Sequence, residues 1–289
     1  MPSDERILVC GGGLLGGAIA SRLATRHAVR VVDRDVRLAS LQVPRVEFRV
    51  GDLTSPKWLC SGASDPVPTV CVYAAGALAG AFRTDPLKAG QRALDAFDGF
   101  LNFSVSCSPM PHIVLCSSLA VYGMQSRGAT EQTPIAPVSH YGRNKAAMES
   151  MLARVAEVAG FSYAVLRFCG LVGPVLHPGG GWMQQLLAST ISTAGQPPEA
   201  LAGHEYLHVQ DAAQAVELVV RTRGTGVLNV GSGVVPSGAE LQAALSGVPS
   251  AAESSPGKGM DLTRIRTEFG YRPELDTLPK ILDRITGSS

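Results

Sequence analysis

Charged side chains are scarce in this chain of 289 residues, where Asp, Glu, Lys and Arg make up only 17% of the sequence. Their signs nearly cancel, to a formal net charge of +1, so the chain lacks the electrostatic field that would attract nucleic acid or an anionic membrane. Hydrophobic residues reach 45%, which favours a sizeable buried core and argues against disorder. This length predicts one large domain, or a core domain with a smaller lobe.

Long apolar segments and a secretion signal are also missing. No apolar run approaches the roughly 20 residues of a membrane-spanning helix, and the chain begins with the polar residues MPSDER. The six cysteines form no CxxC pair and show no metal-ligand spacing. Cys10, Cys71 and Cys116 adjoin apolar strand-like segments, where a free thiol behaves as a small hydrophobe. We therefore expect a cytoplasmic protein with reduced thiols, no metal, and neither a nucleic-acid nor a membrane partner.

Short apolar strands alternate with helical segments through the first half of the chain. The pattern predicts strands at residues 7–10, 29–32, 46–50, 70–74, 113–116 and 163–168. It predicts helices at residues 14–23, 86–103 and 141–159. Strands separated by helices predict an α/β fold, namely a doubly wound parallel sheet of the Rossmann type.

Gly- and Pro-rich stretches interrupt this alternation after Arg167. We predict a dinucleotide-binding domain at residues 1–169, to which residues 206–231 return. Residues 170–205 and 232–289 are predicted to form a small, interrupted C-terminal lobe that binds the substrate.

A glycine-rich turn follows the first predicted strand and opens the first predicted helix. Gly11, Gly13 and Gly16 form the pattern GxGxxG, in which glycines permit a tight turn, close approach to a pyrophosphate and close packing of helix on strand. The helix N-terminus adds unpaired N–H groups and a positive dipole end for the phosphates. Leu14 and Leu15, inside the pattern, belong to the same predicted cofactor site.

A carboxylate ends the second predicted strand. Asp33 lies 22 residues after Gly11, close to the spacing of about 20 expected for a residue that binds a ribose hydroxyl. It would repel a 2′-phosphate, so the sequence favours NAD. Arg34 adjoins it, and Arg30 and Arg37 are near, which leaves NADP open. The alternative is that Asp33 only caps the strand.

Two further strand ends are predicted to contact the cofactor. Asp52 and Leu53 follow the third strand, where the carboxylate can face the adenine edge; an ordinary aspartate in a turn is the alternative. Ala74, Ala75 and Gly76 follow the fourth strand and are small enough to let the backbone pass beside the cofactor. A simple tight turn explains these small residues equally well.

The catalytic pattern follows the fifth predicted strand. Ser117 and Ser118 close that strand, and 23 residues after Ser118 the run YGRNK places Tyr141 and Lys145 one helical turn apart. A free tyrosine has a pKa of about 10, but a neighbouring ammonium and a positively charged nicotinamide stabilise the phenolate. We expect Ser118 to hold a substrate oxygen and Tyr141 to take or give its proton. The alternative is a packed tyrosine and a surface lysine.

These motifs recur with later segments in an order typical of one family. The segments are SSLAVYG, YGRNK, LRFCGLVGP, YLHVQDAAQAV, LNVGSG and FGYRPE. They resemble the extended branch of the short-chain dehydrogenase/reductase superfamily, the NAD-dependent epimerase/dehydratase group, over nearly the whole chain. The resemblance implies Ser118, Tyr141 and Lys145 as catalytic residues, with Lys145 also holding the nicotinamide ribose. It also implies a homodimer built from the helices at residues 86–103 and 141–159.

Departures from the family pattern concern the substrate. Sugar-nucleotide epimerases carry an asparagine where this chain has Gly170 and an arginine where it has His204, and sugar dehydratases carry an acidic residue where it has Leu119. Losing an amide and a guanidinium removes charge-assisted contacts to a diphosphate. We therefore expect a net NAD(P)-dependent redox reaction on a small or medium alcohol or ketone. The alternatives are an epimerase with transient internal oxidation and a non-catalytic NAD(P)-sensing regulator.

A small-molecule substrate is expected where the C-terminal lobe closes over the first domain. The residues predicted to contact it are Ser117, Ala77, His177, Trp182 and His204.

Overall fold

The computed structural model describes residues 5–35, 45–55, 66–76, 82, 84–174, 186–187, 189–191, 201–246 and 259–287. The strands are β1 Arg6–Cys10, β2 Ala28–Asp33, β3 Val46–Val50, β4 Val70–Tyr73, β5 His112–Ser118, β6 Tyr163–Phe168, β7 Gly170–Val172, β8 Tyr206–His208 and β9 Gly226–Val230. The helices are α1 Leu14–Leu23, α2 Pro86–Ser106, α3 His140–Ala159, α4 Val209–Thr222, α5 Gly238–Leu245, α6 Thr263–Phe269 and α7 Leu278–Thr286, and a 3₁₀ helix spans Leu119–Gln125.

Seven strands form one parallel sheet in the order β3-β2-β1-β4-β5-β6-β9. The chain runs outward from β1 to β3 and then returns to the other side of β1 at β4. In such a sheet the ligand crevice lies at the carboxyl ends of the strands, where the order reverses, which here is between β1 and β4. This arrangement confirms the predicted doubly wound α/β fold, and the predicted strands and helices match the observed ones to within a few residues.

Helices cover both faces of the sheet. On one face α1 packs against α4, burying Ile19 and Leu23, and an ion pair of 2.6 Å joins Arg22 to Glu217. On the other face α2 and α3 pack together over the apolar side chains of β4 and β5. The near-continuous apolar strands thus find a partner on each side.

Helix α2 begins and packs as its sequence dictates. The Asp85 side chain accepts from the backbone N–H of Lys88 at 3.1 Å, and Pro86 occupies the first turn, where its missing N–H costs nothing. Further along, Phe97 and Phe100 contact the Tyr73 ring of β4 at centroid distances of 4.7 and 4.9 Å. This aromatic group anchors the helix under the sheet.

A smaller core lies beside the main one. Strands β7 and β8 pair in parallel as a two-stranded sheet, and α7 packs against β8 and α5. The buried side chains of this core are Val172, Leu187, Leu201, Tyr206, Leu241, Leu275, Leu278, Ile281, Leu282 and Ile285. The stretch that includes α6 instead buries Met260, Ile265 and Tyr271 in the main core beside the sheet.

The described cysteines are free thiols, and Cys10, Cys71, Cys116 and Cys169 are buried. Cys60 lies outside the described residues. In the part of the chain that the structure describes, no helix is long and apolar enough to cross a membrane.

Replacing Phe97 by alanine should lower the free energy of unfolding by about 3–5 kcal/mol, because it removes a fully buried ring from the aromatic group under the sheet. Chemical denaturation followed by circular dichroism measures the change. The control is Leu87→Ala in the same helix, whose side chain is 80% exposed and whose loss should cost less than about 0.5 kcal/mol. Equal losses for the two variants would contradict this account of the core.

Candidate active site

The glycine turn after β1 is shaped by close backbone contacts. Gly11 has φ +95°, a left-handed conformation that disfavours other residues, and a Cβ there would lie 2.6 Å from backbone atoms of Ala75. A Cβ on Gly16 would lie 1.8 Å from the Gly11 carbonyl oxygen. Glycine is therefore required at both positions, because the turn presses against α1 on one side and against the loop after β4 on the other.

Gly13 differs from its neighbours because the space beside it is open. A Cβ on Gly13 would meet no atom within 4 Å. It is the N-cap of α1, where no side chain caps the first backbone N–H groups. Free N–H groups at a helix start, next to open space on the sheet's ligand edge, fit a pyrophosphate. Behind this opening, Leu14 is buried and Leu15 is partly buried against the main core.

Asp33 ends β2 with its carboxylate turned toward the glycine turn. One oxygen accepts from the backbone N–H of Gly12 at 2.7 Å, and the other accepts from that of Asp35 at 2.8 Å. The carboxylate therefore has a defined orientation beside the turn. Arg30 pairs with Glu47 at 2.8 Å, Arg34 is exposed, and Arg37 lies outside the described residues.

In the loop after β3, the carboxylate of Asp52 is bound by protein groups. Asp52 accepts from the backbone N–H and the hydroxyl of Thr54 and pairs with Arg92. Burial alone would raise the pKa of Asp52, but these hydrogen bonds and the positive charges of Arg92 and Arg34 outweigh burial and lower it. Leu53 is buried, and its carbonyl lies close to α2, where a Cβ on Gly99 would be 2.8 Å away.

The catalytic serine and tyrosine are predicted on two elements that touch each other. Ser118 ends β5, and its Oγ accepts from the backbone N–H of Ala120 at 3.2 Å. Tyr141 lies in the first turn of α3, which Ser139 caps by accepting from the N–H of Gly142 at 3.0 Å. A Cβ on Gly142 would lie 2.4 Å from the Ala120 carbonyl oxygen. The first turn of α3 is therefore pressed against the segment that follows Ser118.

Lys145 is buried one turn further along α3. Its ammonium lies 6.0 Å from the centroid of the Tyr141 ring and donates to the Cys116 carbonyl oxygen at 2.9 Å. The Phe82 ring contacts the Tyr141 ring edge-on, with centroids 5.9 Å apart. No hydrogen bond joins the Tyr141 hydroxyl to another of the described residues.

The loop after β4 connects the glycine turn to the lysine. Ala75 contacts Gly11, and a Cβ on Gly76 would lie 3.5 Å from the Lys145 ammonium. The fold thus brings the predicted phosphate-binding turn and the predicted catalytic residues to one edge of the sheet.

The residues predicted to contact the substrate have different surroundings. Ser117 is buried, and its hydroxyl donates to the Glu149 carboxylate. His204 is exposed, and its pKa is lowered by partial burial and by the charge of Arg127. The remaining predicted substrate contacts lie outside the described residues: Ala77, His177 and Trp182.

A buried polar network beneath the site was not anticipated from the sequence. Arg167 of β6 makes a forked ion pair with Glu149 of α3, with a shortest distance of 2.6 Å, and donates to the Tyr122 hydroxyl at 2.8 Å. That hydroxyl donates in turn to the Asn229 side chain at 2.7 Å. The one signal in the sequence was the position of Glu149, a charged residue four positions after Lys145 on the face of α3 that packs on the sheet.

Comparisons with known proteins identify the family of this chain. The model of the NAD dependent epimerase/dehydratase family matches residues 7–231. The chain belongs to this family. It is accordingly an NAD-dependent enzyme of the extended short-chain dehydrogenase/reductase type, which argues against the non-catalytic regulator.

Individual members of the family match much of the chain. A UDP-glucose 4-epimerase of Lactobacillus helveticus is 23% identical over 96% of this chain and 94% of its own. A dTDP-glucose 4,6-dehydratase of Streptomyces niveus is 28% identical over 54% of this chain and 50% of its own. The crystal structure of the UDP-glucose 4-epimerase from Brucella ovis in complex with NAD superposes with a TM-score of 0.80, at 23% identity and with 98% of both chains covered.

Replacing Gly13 by valine should weaken NAD binding at least about tenfold, because the new side chain would occupy the opening where the pyrophosphate has to approach the backbone. Isothermal titration calorimetry with NAD measures the affinity. The thermal unfolding midpoint of the ligand-free protein should stay nearly constant, because a Cβ at this position meets no protein atom within 4 Å.

The matched control is Gly238→Ala at the start of α5, where a Cβ would make an ordinary contact of 3.8 Å with Ala202. This variant should bind NAD like the wild type. Unchanged NAD affinity in Gly13→Val would show that the phosphates do not bind at this turn.

Proposed function

We propose that the enzyme transfers a hydride between NAD and an alcohol or ketone carbon of a small-molecule substrate, with Tyr141 as the acid–base residue. The supporting observation is the shared location of three residues: Ser118, Tyr141 and Lys145 lie at the same edge of the sheet as the glycine turn. We propose the turn residues, Asp33 and the loops after β3 and β4 as the cofactor contacts.

The proton and hydride of the reaction take separate routes. NAD, when bound, supplies the hydride acceptor or donor at its nicotinamide ring. In the oxidative direction the substrate C–H bond breaks with loss of hydride, and the substrate O–H proton passes to the Tyr141 oxygen. The Ser118 hydroxyl donates to the substrate oxygen and orients it. The Lys145 ammonium, 6.0 Å from the Tyr141 ring centroid, would stabilise the phenolate and would hold the nicotinamide ribose.

Departures at the substrate side support a net redox reaction. Gly170 has no side chain to bind a diphosphate, and partial burial and the charge of Arg127 lower the pKa of His204, which disfavours its charged form. Leu119, directly after Ser118, cannot act as the acid of a dehydration. We propose that residues 170–205 and 232–289 form the substrate lobe, and that the enzyme acts as a homodimer.

Epimerisation is the second candidate, and two observations favour it. The epimerase of Lactobacillus helveticus matches 96% of this chain, including its substrate half. In addition, an Arg127 guanidinium nitrogen lies 3.1 Å from where a Cβ on Gly203 would be, so a permanent cation stands next to His204. An epimerase would use the same Tyr141 chemistry twice, returning the hydride to the opposite face of one substrate.

Replacing Tyr141 by phenylalanine should lower kcat/KM by about 10²–10⁴, because the variant removes the only group proposed to move the substrate proton. NAD affinity should change less than about twofold, since the ring and its contact with Phe82 remain. Turnover is measured by reduced-nicotinamide absorbance with a panel of secondary alcohols, and by NMR of the products from UDP-glucose and dTDP-glucose.

The control is Tyr163→Phe at the start of β6, remote from the site on the sheet's opposite edge, which should keep wild-type turnover. Full activity of the Tyr141 variant would overturn the mechanism. Stoichiometric accumulation of NADH identifies a net oxidation, whereas an isomerised sugar without NADH identifies an epimerase.

A further inference from the structure

The partners of the buried Lys145 ammonium within the described residues are neutral. Lys145 is 6% exposed. Its ammonium donates to the Cys116 carbonyl oxygen at 2.9 Å and lies near the Tyr141 ring. Among the described residues, no carboxylate lies within ion-pair distance of it. The positive charge of a buried ammonium that is not paired with a carboxylate attracts other nearby anionic groups at full strength.

A carboxylate is nevertheless within reach on the same helix. Glu149 follows Lys145 by four residues, and side chains at this spacing on an α-helix are neighbours. Glu149 is 7% exposed, so solvent would screen an attraction between the two charges only weakly. Left to itself, this carboxylate would compete with Tyr141 for the ammonium.

Arg167 instead holds the Glu149 carboxylate. Its Nη2 lies 2.6 Å from Oε2 and its Nε lies 3.1 Å from Oε1, a forked pair that occupies both oxygens. The Ser117 hydroxyl donates to Oε1 as well. Burial alone would lower the pKa of Arg167, but the hydrogen bonds and charge of Glu149 outweigh it and raise that pKa. The guanidinium of Arg167 on β6 thereby neutralises the charge of the Glu149 carboxylate.

The guanidinium is itself fixed in place. Arg167 lies opposite Ser117 in the register of β5 and β6. It donates through Nη1 to the Tyr122 hydroxyl at 2.8 Å and lies 4.8 Å from the centroid of that ring. Tyr122 is fully buried and donates to Asn229. The Tyr122 contacts therefore fix the orientation in which the Arg167 guanidinium binds Glu149.

We propose that Arg167 is a positioning residue that keeps the Glu149 carboxylate away from Lys145, so that the ammonium retains its charge for the Tyr141 phenolate. The proposal rests on the function proposed above. It assigns Arg167 and Glu149 an influence on proton transfer although neither touches the reacting atoms.

The other titratable groups around the lysine do not supply a competing negative charge. Cys116 on β5 adjoins it, and burial, opposed by the charge of Lys145, raises the pKa of this thiol to about 12. Tyr122, on the 3₁₀ helix, has a pKa raised by burial, against which the hydrogen bond and charge of Arg167 act. His140 precedes Tyr141 at the exposed start of α3. Glu149 is thus the one carboxylate that the described structure places within reach.

The test titrates the Tyr141 phenol directly in the NAD-bound protein. Tyrosinate absorbance is followed against pH in each variant, and the same titration of its Tyr141→Phe counterpart is subtracted. In Arg167→Met the midpoint should move up by roughly 1–2 pH units, because the released carboxylate pairs with the ammonium. In Arg167→Met/Glu149→Gln the midpoint should return to the wild-type value, because the amide carries no charge.

Matched variants separate this effect from a loss of stability. Arg22→Met removes the ion pair with Glu217 between α1 and α4 and should lower the unfolding temperature without moving the midpoint. If Arg167→Met does not fold, Arg167→Gln, alone and combined with Glu149→Gln, gives the same comparison. An unmoved midpoint in the single variant, or an equal shift in the single and double variants, would overturn the proposal.

The titration needs NAD but no substrate, so its result is independent of turnover. An active Tyr141→Phe enzyme would refute the proposed function while the titration still reports whether Arg167 protects the ammonium. Conversely, loss of activity in Tyr141→Phe together with an unmoved midpoint in the Arg167 variants would refute only the positioning role.

Discussion

The active site depends on one contact, that between the first turn of α3 and the end of β5. Gly142 lets the helix approach the Ala120 carbonyl so closely that a single Cβ would clash at 2.4 Å. Lys145 also donates to the Cys116 carbonyl oxygen of β5, whereas Ala120 lies in the 3₁₀ helix that follows this strand. Ser118 lies between Cys116 and Ala120 along the chain, and Tyr141 directly precedes Gly142. The two contacts therefore hold the first turn of α3, with Tyr141, against the segment that carries Ser118.

Polar contacts join α3 to the sheet although the interface between them is buried. A buried ammonium, a buried carboxylate and a buried guanidinium all lie between α3, β5 and β6. Such groups are expensive to remove from water. The carboxylate and the guanidinium pair with each other, and the ammonium donates to the Cys116 carbonyl oxygen. Apolar side chains would also pack here, but they would offer the lysine no hydrogen bond to fix its orientation.

The proposed cofactor side of the site depends instead on positions that carry no side chain. Gly11 and Gly16 are needed because backbone atoms of two loops and a helix meet there, whereas Gly13 leaves open the space in which we propose that the pyrophosphate binds. The contrast explains why the cofactor can be assigned from the family while the substrate remains a proposal. The cofactor follows from the match to the family, whereas the proposed substrate contacts depend on single positions such as Gly170 and His204.

The sequence alone was sufficient for the fold, and it predicted an NAD-binding turn, because both follow from local patterns. Apolar strands alternating with helices specify a parallel sheet, and the glycine spacing with Asp33 specifies a turn at its edge. The Tyr-x-x-x-Lys spacing likewise predicts that the two side chains share one helix face, because residues four apart are neighbours on an α-helix.

Only the tertiary structure decided which groups surround that face. Ser117 and Arg167 are 50 residues apart in the chain and become neighbours through strand pairing, and Tyr122 and Asn229 meet across 107 residues. No local pattern reports such distant contacts, because side-chain partners across a sheet depend on strand order and register. The sequence thus determined the candidate catalytic residues, and the packing of α3 on the sheet decided the electrostatic surroundings in which they stand.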